Sequence, residues 1–369
     1  MQINAKHYAT GKPIRLSIEA GKLVEYAASK ESTSLWFAPS LFDVQINGCL
    51  GVGFNSPTLT PDGVRTVVAE CRKHGIAQFC PTIITDSFEA IERGFRTLAE
   101  ARNADALLAV AIPGYHLEGP YLCADDGPRG AHPKEYCRNP NWDEFQRWQT
   151  AAEGHIRMVT LAPERDGAMK FIEQLATVGI VVAIGHTNAN PQQIRDAVAA
   201  GARTSTHLGN GSHAMLPRHE NYIWEQLGND DLWASVISDG HHLPNGILKS
   251  IVRAKGLDRL LVTCDASSLA GLPPGRYTDW GMELEVQAGG KVVVPGTPFL
   301  AGSGCFTDQC VSHIMRVAGL SLSEAIDLAS LQPRRLLNLP EPTFEIGESV
   351  SMMLFEWEPG GDLAVKSII

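Results

Sequence analysis

The sequence predicts an α/β fold: a (β/α)8 TIM barrel carrying a small β-sandwich domain formed by the N- and C-terminal segments. Two observations lead there. Eight apolar strand-like runs follow one another, LFDVQI, AQFCPTII, LLAVAIPGYHLEG, HIRMVTLAP, IVVAIGHT, RTSTHL, LWASVIS and RLLVTCDA, at intervals of ~25 to 50 residues, mostly close to the ~30 residues of a strand plus crossover helix. Between them lie pieces of helical periodicity such as PDGVRTVVAECRKHG and NPQQIRDAVAAG. Strands alternating with helices at this spacing are most economically a parallel barrel.

The elements follow in chain order. The first 40 residues alternate apolar and polar positions around Gly11-Lys12 and Gly21-Lys22, the pattern of short antiparallel strands. The eight runs and their helices then occupy 41–335. From Phe344 the alternation returns in FEIGESVSMMLFEWEPGGDLAVKSI, with a turn at Pro359-Gly360-Gly361. Residues 1–40 and 336–369 are therefore expected to form the small β domain together and to pack on the barrel, since no low-complexity linker separates them.

Composition narrows the function classes. Of 369 residues, 31 are Lys or Arg and 41 are Asp or Glu, a formal charge of -10 that argues against a general nucleic-acid or anionic-membrane surface. Eight cysteines are scattered without a C-x-x-C pair, and no signal-peptide pattern opens the chain, so reduced thiols in a cytoplasmic protein are expected. No apolar run approaches the roughly 20 residues needed to span a bilayer.

In such a barrel the carboxyl ends of the strands face the site, so the polar residue closing each run is the one to collect. The collection is Gln45 and Asn47, Glu118, His186, His207, Asp239 and Asp265. His186 and His207 close consecutive runs, in VVAIGHTNAN and THLGNGSHAM. Glu118, His186 and His207 make one carboxylate and two imidazoles, a three-ligand set that leaves a coordination position open, as in catalytic zinc sites. Asp265 is left over as a base. The alternative is a hydrogen-bonded polar core at the barrel mouth, but Glu118 closes a largely apolar run, where a carboxylate is costly to bury without an ion or metal partner. His116 shares a strand face with Glu118, with a core role equally open. His7, His74, His155 and His313 read as structural or exposed, whereas His213, His219 and His241 fall on mouth loops.

The motifs DVQINGCLGVGFN (43–55), PTIIT (81–85), HLEGPYL (116–122), GHTNA (185–189), THLGN (206–210), SDGHH (238–242), VTCDASSLAG (262–271) and LAGS (300–303) resemble, in order and spacing, the N-acetylglucosamine-6-phosphate deacetylases of the amidohydrolase superfamily. The resemblance covers most of the chain. It implies Glu118, His186 and His207 as metal ligands and Asp265 as catalytic aspartate. It implies His132, Asn210, Gly211, Arg218 and His242 as substrate contacts, with Arg218 and His242 toward a phosphate. Many amidohydrolases carry His-x-His after the first strand, but here Gln45-x-Asn47 stands there, as in the branch with one metal. Amides are poor substitutes for imidazole, so one divalent ion per subunit is expected, with Zn2+ first and Fe2+, Co2+ or Mn2+ as alternatives, and Gln45 and Asn47 would support it through water. The resemblance also implies a small-molecule amino-sugar substrate and a homodimer in which a loop carrying Arg218 completes the neighbour's phosphate site.

The chain departs from the family in three places. Gly211-Ser212-His213 is extra between Asn210 and Ala214-Met215, LPRHENYIWEQL replaces a Gly-Arg-Glu-Pro-like turn around Arg218, and CADDGPRG brings two acids near the site. All three touch substrate recognition, and none touches the catalytic set. Competing readings are an amidohydrolase acting on another N-acyl or cyclic amide, and a catalytically silent barrel used for binding. A silent barrel needs no intact Glu118, His186, His207 and Asp265.

Overall fold

The computed structural model describes residues 1–279, 281–297 and 299–369. Its centre is an eight-stranded parallel barrel, taken in order from Leu41–Ile46 through Ile76–Ile84, Tyr115–Glu118, Ile156–Leu161, Val181–Ile184, Ala202–Ser205 and Trp233–Ile237 to Leu260–Thr263. All eight expected runs supply a strand. One is shorter than its run: LLAVAI folds as the helix Ala106–Ala111, capped by Asp105, and only YHLE is extended. Length decides between helix and strand poorly in a short apolar run, and the capping carboxylate tips the balance here.

Helices behave as their sequences indicate. Pro61–Lys73 begins with Thr60 accepting from the Gly63 amide and a proline in the first turn. Pro191–Ala200 opens on a reciprocal capping box between Asn190 and Gln193 and ends at Gly201 in the left-handed region. Alternate residues of the barrel strands divide between two apolar cores. Phe42, Val44, Met158, Val181, Ala183 and Leu261 meet Leu336 and Leu337 inside the barrel. Their neighbours Val159, Leu161, Val182, Ile184, Leu260 and Val262 pack against the helices. Burial on both faces is why these strands read as continuous apolar runs.

Asp43 helps close the barrel. The first and last strands lie at opposite ends of the hydrogen-bonded order. Asp43 joins them: its carboxylate accepts from the Thr263 hydroxyl at 2.5 Å and the Cys264 amide at 2.9 Å, from Thr307 at 2.6 Å and from the Gln45 amide at 2.9 Å. Burial pushes its pKa up, against those four donors. One step further, the Asn47 amide donates to the Ala266 carbonyl at 2.8 Å.

The two ends of the chain do join. Strands Gln2–His7, Pro13–Glu19, Lys22–Ala28 and Leu35–Pro39 form one six-stranded mixed sheet with Met352–Glu356 and Ala364–Ile368. The small β domain expected from both ends is built on this one mixed sheet. A Lys22–Ser349 bridge returns its far edge toward the C-terminal strands, and Leu16, Leu23, Phe37 and Met352 share one apolar cluster. A second sheet was not foreseen. Gly275–Asp279, Met282–Val286, Lys291–Val293 and Leu300–Ser303 form a four-stranded antiparallel sheet inserted after the eighth barrel strand.

Candidate active site

Glu118 ends the third barrel strand, His186 and His207 lie two residues beyond the fifth and sixth, and Asp265 lies two beyond the eighth. His186, His207 and Asp265 all have positive φ, at 50°, 33° and 51°. A left-handed backbone is costly for residues with a Cβ and is found where a strand end must aim a side chain. All four side chains are almost completely buried.

Their reacting atoms converge. Glu118 Oε1 lies 3.1 Å from His207 Nε2 and 3.3 Å from His186 Nε2, and the two Nε2 atoms are 3.1 Å apart. His186 Nδ1 donates to the Pro128 carbonyl at 2.7 Å, which leaves Nε2 of the neutral ring as a lone pair aimed at Glu118 and His207. One carboxylate oxygen and two ring nitrogens facing one point repel each other unless a cation lies among them. Burial works to raise the Glu118 carboxyl, but hydrogen bonding to His186 and His207 outweighs it and holds the group well below the usual carboxylate range. His207 responds in kind: burial disfavours its charge, yet contact with Glu118 raises its pKa. The cluster is built for positive charge. It is the one group of three His, Cys, Asp or Glu side chains with metal-binding geometry among the described residues.

Asp265 sits beside this cluster. Gln45 Nε2 donates to both Asp265 Oδ1 and Glu118 Oε1 at 3.0 Å, and Asn47 Nδ2 donates to Asp265 Oδ1 at 2.8 Å. Gln45 therefore bridges the two carboxylates, while Asn47 holds Asp265 alone. Burial first, and the negative charge of Glu118 second, push Asp265 up to about 7.

The walls place the remaining candidates. His132 is buried, with Nδ1 2.9 Å from the Thr85 hydroxyl and Nε2 3.3 Å from His186 Nε2. Burial, then the neighbouring His186, lower its pKa to about 3, which keeps it neutral. His242 is held by Asp239, whose carboxylate lies 2.8 Å from its Nδ1 and also accepts the His241 and His242 amides and the Ser303 hydroxyl. Burial would raise Asp239, but His242 overrides it and the pKa is lowered. Asn210 bonds back to the His207 carbonyl at 3.2 Å.

Gly211 is where the extra residues touch the site. Its φ is +56°, and a Cβ there would lie 2.7 Å from His186 Nδ1, so only glycine fits against the ring. His213 then crosses to Gly127, which it approaches at 3.1 Å from a notional Cβ, and its Nδ1 lies 3.0 Å from the Tyr222 hydroxyl. The insertion thus packs the sixth-strand loop onto the loop that carries Pro128 and His132.

Arg218 is exposed and lies outside its own chain's cavity of about 620 Å³, compatible with the expectation that its loop completes a neighbour's site; Gln45 does not line that cavity, whereas the other candidate site residues do. Asp125 and Asp126 do not line it either, and they are engaged with Asn188 and Arg129. His116 lies deeper, with Nε2 2.7 Å from Thr160, which is 2.6 Å from Thr206, and burial lowers its pKa to about 4. It belongs to the barrel interior. Sequence reasoning missed Asp43, whose signal was a charge inside the apolar run LFDVQI.

A comparison with known proteins fits this geometry. The chain is 35% identical over 333 residues to the human N-acetylglucosamine-6-phosphate deacetylase, covering 86% of this chain and 79% of that one. The chain belongs to the N-acetylglucosamine-6-phosphate deacetylase family. An N-acetylgalactosamine-6-phosphate deacetylase of Escherichia coli O157:H7 is 30% identical over 301 residues, covering 82% of this chain and 78% of that one. The crystal structure of N-acetyl-D-glucosamine-6-phosphate deacetylase from Mycobacterium smegmatis superposes with a TM-score of 0.88 at 30% identity, over 100% of this chain and 98% of that one. No family model matches the chain. No helix among the described residues is long and apolar enough to cross a membrane.

Proposed function

We propose that the protein removes the acetyl group from N-acetylglucosamine 6-phosphate, releasing acetate and the free amino sugar. The observation that carries this reading is the meeting of Glu118 Oε1 with the Nε2 atoms of His186 and His207 beside a buried Asp265, in a chain of this family. A relative from Mycobacterium smegmatis has been solved with N-acetyl-D-glucosamine-6-phosphate bound, as an aspartate-to-alanine mutant.

Glu118, His186 and His207 would hold one divalent ion, with Zn2+ the best match to two imidazoles and a carboxylate. When bound, such an ion lowers the pKa of water and polarises an acyl oxygen. The chain supplies the rest. Asp265 accepts a proton as water attacks the acetamide carbon, then gives it to the sugar nitrogen as the C–N bond breaks. Gln45 and Asn47 hold the carboxylate in place for both transfers. His132, kept neutral by burial and anchored on Thr85, offers Nε2 to a substrate oxygen, and His242, with Nδ1 held by Asp239, contacts the far end of the sugar with Asn210 and Gly211. In this reading the chain is a homodimer of the cytoplasm. Met215 and Trp224, 89% and 56% exposed near Arg218, support the dimer, and eight free thiols support the compartment.

The test is acetate release by the metal-loaded enzyme from a panel of N-acetylglucosamine, N-acetylglucosamine 6-phosphate and N-acetylgalactosamine 6-phosphate. Turnover with the glucosamine phosphate preferred supports the reading. No release from any of the three overturns it.

A further inference from the structure

Part of the cavity wall is the antiparallel sheet 275–303, which contributes Met282, Lys291, Val294, Phe299 and Leu300. Among these Lys291 is the cation. It is half-buried, and its ammonium makes no ion pair and no hydrogen bond among the described residues. The other permanent cation in the wall, Arg129, is already engaged, with Asp126 at 2.6 Å and the His132 carbonyl at 2.7 Å. A cavity-lining ammonium without a counterion in its own chain is open to pair with an anionic group of a ligand.

The structure holds Lys291 at this place by contacts to the backbone of the preceding turn. His241 Nε2 donates to the Gly289 carbonyl at 2.9 Å, Cys305 Sγ approaches the same oxygen at 3.3 Å, and the Gly304 amide donates to the Gly290 carbonyl at 2.8 Å. A Cβ on Gly290 would lie 2.8 Å from Cys305 Sγ, and one on Gly304 would lie 2.5 Å from the Gly290 oxygen. Two glycines thus let the hairpin lie directly on the barrel mouth. Lys291 pairs across the sheet with Ser303, whose hydroxyl donates to the Asp239 carboxylate that holds His242. A free cation and a histidine at the cavity are tied into one network.

We propose that Lys291 is a specificity-determining residue for the anionic substituent of the substrate: its ammonium pairs with the phosphate ester while His242 contacts the same group. This rests on the deacetylase reading above. It adds a cation from the inserted sheet of the same chain to phosphate recognition, alongside the contribution expected from a neighbour's Arg218.

The experiment compares the metal-loaded wild type with Lys291→Met, Lys291→Arg and Arg218→Ala on N-acetylglucosamine 6-phosphate and on N-acetylglucosamine. Inorganic phosphate serves as an inhibitor probe. A charge-assisted contact of this kind predicts a rise in KM on the order of 10- to 100-fold for Lys291→Met on the phosphorylated sugar. Its kcat, its metal content and its rate on the unphosphorylated sugar stay at wild-type values, phosphate inhibits it more weakly, and Lys291→Arg recovers most of the loss. An unchanged KM in Lys291→Met, an equal loss on both sugars, or transfer of the whole effect to Arg218→Ala overturns the proposal and leaves the deacetylase reading intact. A wild type that releases acetate but does not prefer the phosphorylated sugar overturns the phosphate part of both.

Discussion

The Nε2 atoms of His186 and His207 face each other across 3.1 Å, and Glu118 Oε1 stands within 3.3 Å of each. Removing positive charge from between them leaves three electron-rich atoms in a buried pocket. Metal removal is therefore expected to cost stability as well as activity. A chelator-treated sample should lose turnover and melt at a lower temperature, and both should return when Zn2+ is restored, because a ligand of the native state alone stabilises by mass action. His186→Ala should hold less than stoichiometric metal by elemental analysis. Full activity in a chelated, metal-free sample would rule out the assigned site.

Asp265 offers a second test. Its carboxylate is out of the ion cluster yet within one amide of it, through Gln45. Asp265→Asn should keep the metal and lose about 10²- to 10⁴-fold in kcat, the range associated with a positioned acid-base group. A variant within a few-fold of wild type would end the assignment.

The same residue sets the pH profile. Burial and Glu118 raise its pKa to about 7 in the metal-free cluster, and a base works only when deprotonated, so kcat/KM of the metal-loaded enzyme should show an acid limb below that value. Positive charge bound at Glu118, His186 and His207 moves this limb to lower pH. The Asn47 hydrogen bond stabilises the ionised form, so Asn47→Ala should move the limb to higher pH. A limb that stays in place or moves down would show that Asn47 does not act through Asp265.

The legible part of this molecule is the part written in continuous local patterns. Eight largely apolar runs each supplied one barrel strand, and the polar residues closing them supplied Glu118, His186, His207 and Asp265. The substrate wall was harder to read. Lys291 lies in an ordinary alternating segment, and nothing local distinguishes it from any solvated strand lysine; its meaning comes from a sheet that folds back over the mouth. Arg218 has the right chemistry for phosphate, and its loop carries it out of its own chain's cavity, so its role depends on a neighbouring subunit that one chain does not contain. Gly211 lines the cavity, and a further role was not legible: its lack of a Cβ lets the chain lie against the His186 ring.

Asp43 carries a stability prediction. Four donors converge on its carboxylate from Gln45, Thr263, Cys264 and Thr307, and it joins the first barrel strand to the last. Orphaning buried donors costs about 1–3 kcal/mol for each group that finds no new partner. Asp43→Ala should therefore destabilise by about 3 kcal/mol or more in urea unfolding, while Asp43→Asn, which retains an acceptor oxygen, should lose less. Equal stability in Asp43→Ala would show that the strand pairing closes the barrel without it.

Gly304 tests whether the inserted sheet acts through its position. A methyl group there meets the Gly290 carbonyl oxygen at 2.5 Å, backbone against backbone, so the 287–291 turn must lift from the barrel mouth. Neither Glu118, His186, His207 nor Asp265 touches that contact. Gly304→Ala should accordingly keep its metal and its rate on N-acetylglucosamine, and show a KM on the 6-phosphate raised toward that of Lys291→Met. Because displacement and charge deletion remove the same interaction, Gly304→Ala combined with Lys291→Met should cost little more than Lys291→Met alone. Fully additive losses in the double variant would mean that the turn positions something other than Lys291.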